Sequence, residues 1–194
     1  HIGRLGYFSQ WVASKGLIGI ILANVNNPLV SVHNGLGRAF GTNPLCISIP
    51  TKEGSSILVD FATSVVAHGK ISVAKAEKID IPRNWVRDKY GRETEDPSVM
   101  WDGGWLLPFG EYKGYGLQLV SEVLGGILTG SLTGFDDIEN PPSTNGVLGI
   151  VINPKAFLGL EDFFDNTHRM VSYIKSFESV NGEEIVIPGE PEQN

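Results

Sequence analysis

Cysteine is nearly absent from this chain of 194 residues, which contains only Cys46. A single thiol excludes an internal disulfide framework and a metal cage built from thiolates, because both need several cysteines. Such low cysteine use is typical of a reducing compartment. We therefore expect the protein to be cytoplasmic.

The sequence also lacks a basic excess and a long apolar run. Its 15 lysines and arginines are outnumbered by 22 aspartates and glutamates, and the formal net charge of -7 disfavours binding to nucleic acid or to an anionic membrane. The longest apolar stretch, residues 116–128, is interrupted by polar residues and is shorter than the roughly 20 residues of a membrane span. No positively charged start followed by an apolar region indicates a secretory signal. The expected partner is a small molecule or another protein, and neither nucleic acid nor membrane.

The residues that are present describe a turn-rich globular protein, with 41% hydrophobic residues, 19% charged residues and 24 glycines. This length suffices for one ordinary domain with a core of its own. We expect residues 1–194 to form a single cofactor-binding and catalytic region. Because a motif begins at His1 itself, we also expect the chain to be a fragment of a longer protein.

Hydrophobic spacing predicts several helices. The first is indicated by Leu5, Phe8, Trp11 and Val12, and Lys15-Gly16 predicts its end. A second helix is predicted after capping residues Thr63 and Ser64, as far as about Lys78. Two more apolar series have helical spacing: Leu117, Val120, Leu124 and Ile127, and then Phe163, Thr167, Met170, Ile174 and Phe177.

Short apolar runs predict the strands, which comprise residues 17–23, 46–50, 57–60, 147–153 and 184–187. The second and third of these read as a hairpin around the glycine-containing turn at residues 52–55. Glycine, proline and asparagine predict a loop over residues 24–44 and a turn-rich insertion with a short hairpin over residues 79–108. We expect residues 130–145 to be the least ordered segment.

Residues 35–41, with the sequence GLGRAFG, resemble the glycine-rich fingerprint of a Rossmann dinucleotide site. That fingerprint functions at a strand-to-helix turn, where the helix N-terminus binds pyrophosphate. Here Thr42-Asn43-Pro44 follows, and proline disfavours a helix at this point. The sequence therefore favours a loop with positive φ angles over a Rossmann site.

A better-placed candidate is the segment Asp60, Phe61, Ala62, Thr63 and Ser64, which lies where an apolar strand ends and a predicted helix starts. Free N–H groups and hydroxyls at such a position can bind a phosphate or ribose, while Asp60 can accept from a hydroxyl or orient a base. The alternative is an ordinary helix cap made by the same side chains. From the residues alone, both interpretations stay open.

Lys113 lies in a glycine-rich segment, residues 110–116, just before the most apolar predicted helix. A lysine in the first helical turn opposes the helix dipole unless an anion neutralises both. This indicates an anion site, although the spacing does not match the phosphate loop of nucleoside triphosphatases. A solvated lysine in a glycine-rich turn is the alternative.

Histidine has an ordinary pKa that suits proton transfer near neutral pH, and the chain has four. His33 in a predicted loop and His168 on the polar side of a predicted helix are interpreted as ordinary surface residues. His68 admits a structural or a catalytic role. His1 begins a glycine-containing segment that can approach a ligand closely and in which Arg4 can face an anion.

Taken in order, five segments resemble the malate/L-lactate dehydrogenase family, which comprises NAD(P)-dependent 2-hydroxyacid oxidoreductases without a Rossmann fold. Ureidoglycolate and sulfolactate dehydrogenases and cyclic-imine reductases belong to the same family. The segments are His1-x-Gly3-x-x-Gly6-Tyr7-Phe8, Gly41-Thr42-Asn43-Pro44-Leu45, Asp60-Phe61-Ala62-Thr63-Ser64 with Gly69-Lys70, Lys113-Gly114-Tyr115-Gly116-Leu117 and Pro188-Gly189-Glu190. The resemblance implies a three-layer α/β domain with a mixed, largely antiparallel sheet, similar to L-sulfolactate dehydrogenase and not of the Rossmann type.

The resemblance also implies roles for individual residues. His1 corresponds to the proton acceptor of the family, and no metal ligand is implied. Val25 stands where the family often has serine, and the N-terminal Ser-His-Gly segment of the family, with its nearby arginine, is absent here. The implied cofactor-binding positions are Arg4, Leu5, Gly6, Asp60, Phe61, Ala62, Thr63, Ser64, Lys113, Gly189 and Glu190.

The implied reaction is hydride transfer between NAD or NADP and a small 2-hydroxy or 2-oxo acid such as malate or lactate, in a homodimer. It needs a base for the hydroxyl proton, a nicotinamide as hydride acceptor, and a cation or N–H cluster for the carboxylate. Since His1 would take and return the proton, a His1→Ala change is expected to leave cofactor binding intact and to lower the turnover rate by a factor of roughly 10² to 10⁴. The alternatives are a cyclic-imine reductase acting on pyrroline- or piperideine-2-carboxylate, and a non-catalytic truncated relative that serves in binding or dimerisation.

Overall fold

The structure is a computed structural model that describes residues 2–52, 54, 56–136, 138–139, 141–180 and 182–191. Its helices are α1 (Leu5–Ala13), α2 (His68–Glu77), α3 (Tyr112–Ser121) and α4 (Leu160–Lys175). Its strands are β1 (Ile18–Ala23), β2 (Leu45–Pro50), β3 (Ser56–Phe61), β4 (Val86–Arg87), β5 (Trp105–Leu106) and β6 (Val147–Ile152). Short 3-10 turns cover Pro97–Trp101 and Pro154–Ala156, and a π-helical turn, Glu122–Ile127, follows α3 directly.

The strands form two sheets. Four of them make a sheet in the order β3-β2-β1-β6, while β4 and β5 pair antiparallel with Val86 opposite Leu106 and Arg87 opposite Trp105. The protein is an α/β protein with a mostly antiparallel main sheet, which confirms the predicted fold class. Within the described part of the chain, none of the helices is long and apolar enough to cross a bilayer.

The chain divides into two compact units. The first consists of Ile2 with Leu22–Leu45 and Phe61–Leu148. The second consists of Gly3–Ile21, Cys46–Asp60 and the described residues of Gly149–Asn194, and it holds most residues of the four-stranded sheet. Predicted cofactor residues occur in both units. That residues 1–194 form a single cofactor-binding and catalytic region stays a prediction.

A cluster of apolar side chains forms the core of the first unit. Its buried members come from α2, β4, β5, the 3-10 turn Pro97–Trp101 and three loop positions of the same unit: Val30, Val66, Ile71, Ala74, Ile81, Val86, Met100 and Leu106. Arg38 stabilises the surrounding loops, because its guanidinium donates to the carbonyl oxygens of Gly104, at 2.8 Å, and of Met100. The turn-rich insertion predicted over residues 79–108 therefore contributes much of this core, and its predicted short hairpin is β4 and β5.

Helix α1 packs closely on the sheet in the second unit. A Cβ on Gly19 of β1 would lie only 3.2 Å from the Ser9 carbonyl oxygen, so glycine permits this approach. The buried Ser9 hydroxyl lies 2.9 Å from the Cys46 sulfur and 2.8 Å from the Ser48 hydroxyl of β2. These contacts fix α1 against β2, and they give the single cysteine a structural environment.

Most predicted elements are confirmed, and two expectations are wrong. The helix expected directly after Thr63 and Ser64 starts instead at His68, because the intervening backbone bonds to other loops. Residues 184–187 have no strand structure, and Ile187 N–H donates to the Glu190 carboxylate at 2.8 Å rather than to a neighbouring strand. The helical spacing around residues 117–127 is real, but α3 changes to π-helical geometry at Glu122.

Candidate functional site

The start of α1 and the end of β3 meet in the second unit. Gly6 N–H, in the first turn of α1, donates to Asp60 Oδ2 at 2.8 Å. A Cβ at Gly6 would lie 2.9 Å from Asp60 Oδ2 and 3.1 Å from Arg4 Nε, so only glycine allows these groups to approach. An acidic group at a helix N-terminus is favourable because it complements the helix dipole. Arg4, Leu5, Gly6 and Asp60, all predicted from the resemblance, thus lie together.

The segment containing Gly189 and Glu190 packs on the same strand. Gly189 has a φ of +102°, and a Cβ there would lie 2.8 Å from Leu58 Cβ, while Leu58 N–H donates to the Pro188 carbonyl at 2.8 Å. Leu58 also lies 3.3 Å from the Cβ position of Gly6. The two predicted segments of the second unit therefore both contact one β3 residue.

Glu190 is held by two hydrogen bonds. Its carboxylate accepts from Lys175 Nζ at 2.6 Å and from Ile187 N–H at 2.8 Å. The lysine, followed by the backbone donor, holds the pKa of Glu190 below its usual range. Beside this pair lies a cavity of about 350 Å³, lined by apolar Ile57, Val171 and Ile187 and by the polar side chains of Lys52, His168, Ser172 and others. His168 is exposed, as predicted, and lines this cavity.

In the first unit, the turn after β3 is internally bonded. The Thr63 side chain is fully buried, and its hydroxyl donates to the carbonyl oxygens of Thr42, at 3.1 Å, and of Asn43, at 2.9 Å. Its N–H donates to Thr42 O at 2.9 Å, and the Ser64 hydroxyl donates to Val66 O at 2.7 Å. The Val65 N–H donates to Leu107 O at 2.8 Å, so neither this N–H nor that of Thr63 is free to bind a phosphate, which was one of the two interpretations of this segment.

Helix α3 begins next to this turn. Lys113 is exposed in its first turn, which confirms the predicted position, and the preceding Glu111 has a φ of +57°. Gly114 packs directly on the turn, since a Cβ there would lie 2.7 Å from Phe109 N and 2.9 Å from Thr63 O. The structure thus brings Lys113 together with the segment that contains Thr63.

Phe61 and Ala62 complete that segment. The Phe61 ring is partly exposed and contacts the Phe109 ring edge-on, with centroids 5.3 Å apart. Phe109 N–H donates to Thr63 O at 3.1 Å, so the aromatic contact and the backbone bond support one another. Ala62, between Phe61 and Thr63 in sequence, is half-buried.

The glycine-rich run at residues 35–41 is a loop, as predicted. Gly41 approaches Val25 so closely that a Cβ would lie 2.5 Å from the Val25 Cβ, and Gly37 has a φ of +92°. Neither a strand nor a helix of the first unit begins within the run. Its glycines serve loop packing, which agrees with the rejection of a Rossmann site.

The histidines differ in environment. His1, the predicted proton acceptor, lies outside the described residues. His33 is half-buried rather than fully exposed, and it lines a cavity of about 630 Å³ together with Arg87 and Glu111. Burial, with a smaller contribution from the Arg38 charge, lowers the pKa of His68, which favours its neutral form.

Two residues that were not among the predicted site residues, Asn43 and Glu122, are linked to the Thr63 turn by hydrogen bonds. Asn43 Nδ2 donates to the Glu122 carboxylate at 2.6 Å, and both side chains are buried. The available signals were a glutamate within the most apolar helical stretch of the chain, and the position of Asn43 within one of the five segments that carry the resemblance. Among the described residues, no group of three or more potential metal ligands is found.

Comparisons with known proteins match the whole chain. The family model described as malate/L-lactate dehydrogenase matches residues 1–194. Hydroxycarboxylate dehydrogenase B of Escherichia coli is 36% identical over 200 residues, which cover 100% of this chain and 55% of that protein. The chain therefore spans about half the length of the curated relatives it matches.

Solved structures agree with the sequence relatives. Sulfolactate dehydrogenase from Methanocaldococcus jannaschii has a TM-score of 0.86 at 35% identity, covering 100% of this chain and 56% of that one. The Δ1-piperideine-2-carboxylate reductase from Pseudomonas syringae has a TM-score of 0.85 at 30% identity, with 98% and 57% covered. The first of these likenesses confirms the expected similarity to L-sulfolactate dehydrogenase in fold.

Proposed function

Because the chain belongs to the malate/L-lactate dehydrogenase family, we propose that it binds NAD or NADP and serves hydride transfer between that cofactor and a small 2-hydroxy or 2-oxo acid. The observation that carries the proposal is the family match over residues 1–194, with every cofactor segment of the resemblance present in order. The bound nicotinamide would accept or supply the hydride.

The described residues offer suitable groups for such a cofactor. Lys113 is exposed at the start of α3, where a cation and the positive end of the helix dipole both favour an anion. In the second unit, Arg4 and Asp60 are exposed and adjacent, so they present a cation and a hydrogen-bond acceptor side by side. Phosphates and ribose hydroxyls are the parts of a nicotinamide dinucleotide that need these two kinds of group.

Proton transfer is assigned in the proposal to His1. A neutral imidazole would take the hydroxyl proton in oxidation and return it in reduction. Malate and lactate are the proposed substrates, a homodimer is the proposed assembly, and the cytoplasm is the proposed location.

A cyclic-imine reductase is the second candidate function. It is favoured by the likeness in fold to the piperideine-2-carboxylate reductase, which is about as close as the likeness to the sulfolactate enzyme. Both reactions pair a nicotinamide cofactor with a small carboxylate, so the cofactor segments alone suit either one.

Cofactor binding is the decisive measurement. Tryptophan fluorescence of the protein, which has four tryptophans, is followed during titration with NADH and with NADPH. We expect saturable quenching with at least one of them, and weaker binding by about tenfold in Lys113→Ala, which loses a charge-assisted contact. Lys155→Ala, which removes an exposed lysine from a 3-10 turn of the second unit, is the matched control. No response to either nucleotide would contradict the proposal.

Substrate choice is tested by turnover. Malate, lactate and sulfolactate are compared as oxidation substrates, and piperideine-2-carboxylate as a reduction substrate, with the preferred nucleotide. Turnover of the imine without turnover of any hydroxy acid would decide for the second candidate.

A further inference from the structure

Glu122 is a buried carboxylate at the junction of α3 and the π-helical turn. It is 2% exposed, and none of the ion pairs among the described residues includes it. Its two oxygens accept from different loops: Oε2 from Asn43 Nδ2 at 2.6 Å and Oε1 from Gly134 N–H at 3.0 Å. A buried carboxylate without a cation is costly, so these two bonds are needed to compensate for lost hydration.

Asn43 connects this carboxylate to the Thr63 turn. Its side chain is fully buried, and its backbone has a positive φ of 34°. While Nδ2 donates to Glu122, Oδ1 accepts from Val25 N–H at 3.0 Å and the backbone carbonyl accepts from the Thr63 hydroxyl at 2.9 Å. Any rotation of the Asn43 side chain breaks bonds on two sides, because both ends of its amide are occupied.

The helix that carries Glu122 is also held against its surroundings at two glycines. A Cβ on Gly114 would lie 2.9 Å from Thr63 O, and one on Gly125 would lie 2.9 Å from the Asn24 backbone nitrogen. Glu122 lies between these two contacts along the helix. It is also the first residue of the π-helical turn. Such π-helical segments occur frequently at functional sites.

We propose that Glu122 is a positioning residue for the cofactor site: its carboxylate fixes Asn43, and Asn43 fixes the Thr63 turn against which Lys113 and α3 are placed. The proposal rests on the proposed function, since that function assigns Lys113, at the start of α3, to cofactor binding. Glu122 and Asn43 touch no cofactor atom in this role, and they act by holding the backbone in a single geometry before the cofactor arrives.

A reciprocal exchange of the two side chains tests the proposal. In Glu122→Gln, the new amide nitrogen faces either the Asn43 amide or Gly134 N–H, so two donors meet. In Asn43→Asp, two carboxylates meet. In the double variant, the new amide at position 122 donates to the new carboxylate at position 43. The amide oxygen still accepts from Gly134 N–H and the carboxylate still accepts from Val25 N–H. Three bonds are therefore restored, with the one between the two side chains reversed in direction. The longer bond from Asn43 Nδ2 to the Gln118 carbonyl, at 3.4 Å, is the one that the double variant loses.

Two readouts are recorded for the wild type, both single variants and the double variant: the dissociation constant for NADH or NADPH, and hydrogen exchange of the Thr63 amide. We expect each single variant to weaken cofactor binding and to speed Thr63 exchange by about tenfold or more, as for a buried group left without its partner. The double variant should return both to within about threefold of the wild type. The KM for the acid substrate should change less than the KM for the cofactor.

If Glu122 and Asn43 have only a structural role, a different set of results is expected. If both single variants stay folded and bind the cofactor as the wild type does, or if the double variant repairs the urea midpoint but not cofactor affinity, the positioning role is wrong. If a single variant fails to fold, the double variant decides, because it must then fold and bind like the wild type. If the wild type binds neither nucleotide, the proposed function fails, and Thr63 exchange alone still decides whether the pair holds the turn.

Discussion

The two units hold their proposed cofactor segments by different kinds of hydrogen bond. In the first unit, the Thr63 turn is buried and its bonds join neutral groups, the hydroxyl and N–H of Thr63 with two carbonyl oxygens. In the second unit, the anchoring acceptors are the exposed Asp60 carboxylate and the partly exposed Glu190 carboxylate, which bind backbone N–H groups and, in one case, Lys175.

This difference teaches how each segment responds to its surroundings. Buried neutral bonds have little dependence on salt or pH, but losing one partner leaves the other unsatisfied. Exposed bonds to carboxylates are screened by salt and are lost when the carboxylate is protonated. We therefore expect mutations to be more damaging in the first unit, and solution conditions to matter more in the second.

The largest effect is expected where α3 packs on the Thr63 turn. Gly114→Ala places a methyl group 2.7 Å from Phe109 N. Because this atom belongs to the backbone, it cannot move away as a flexible side chain would. The substitution should therefore lower the free energy of unfolding by about 3 kcal/mol. Gly116→Ala in the same helix is the matched control, because among the described residues no atom outside its chain neighbours and the backbone of its own helix lies within 4 Å of its Cβ position. That control should gain roughly 0.5 to 1 kcal/mol. Urea unfolding measures both, and equal behaviour of the two variants would contradict the described packing.

A smaller loss is expected for Thr63→Val. The substitution keeps the shape of the side chain but removes the hydroxyl that donates to Thr42 and Asn43 carbonyls. We expect a loss of about 1 to 2 kcal/mol in urea unfolding, because a buried carbonyl is left without a donor. The loss should be the same at low and at high salt. A loss that salt abolishes would show that the turn is held by charge instead.

The charged anchor of the second unit is tested by Glu190→Gln. Since Lys175 and Ile187 N–H lower the pKa of Glu190 in the folded state, its stabilising effect is full above the usual glutamate pKa of about 4.3 and is lost as pH falls through the lowered folded value. The variant should therefore be less stable than the wild type at pH 7, equal to it at sufficiently low pH, and less affected by salt. Thermal unfolding as a function of pH measures this.

Glu178→Gln serves as the control for Glu190→Gln, because Glu178 is exposed near the end of α4. It should show no such pH dependence. A difference between wild type and Glu190→Gln that grows at low pH would have the wrong sign and would exclude the described anchor.

The smallest effect concerns Cys46, a buried exception in the second unit. Burial raises the pKa of the Cys46 thiol to about 11, so it stays protonated at neutral pH. Because the thiolate is the reactive form, a disulfide reagent at pH 8 should modify the folded protein very slowly and the urea-unfolded protein quickly. Rapid modification of the folded protein would show that this cluster opens far more easily than its burial implies.

Local signals in the sequence predicted much of the fold and part of the candidate site. Helical spacing located α1, α3 and α4, and the apolar runs located β1 and the hairpin of β2 and β3. The position of Lys113 in the first turn of a helix also followed from the glycines and the apolar stretch around it. These features depend on near neighbours in the chain, which is why the sequence pattern reports them.

Other features depend on contacts between distant residues. The helix predicted after Ser64 starts later because Thr63 and Val65 bond to Thr42 and Leu107, and nothing local signals those partners. The strand predicted near Ile187 is a turn, since the Glu190 carboxylate takes its N–H. Asn43 and Glu122 are 79 residues apart in the sequence, and no local pattern predicts that their side chains form a hydrogen bond.

By itself, the sequence determined most of the element types, the family resemblance and the order of the proposed cofactor segments, because periodicity, glycine placement and motif spacing are properties of neighbours along a chain. Only the tertiary structure decided which hydroxyls and amides are already hydrogen-bonded, which carboxylate is buried, and that Asn43 links Glu122 to Thr63. The physical reason is that burial and hydrogen-bond satisfaction are set by chain segments that meet on folding, after separations along the sequence that carry no local signal.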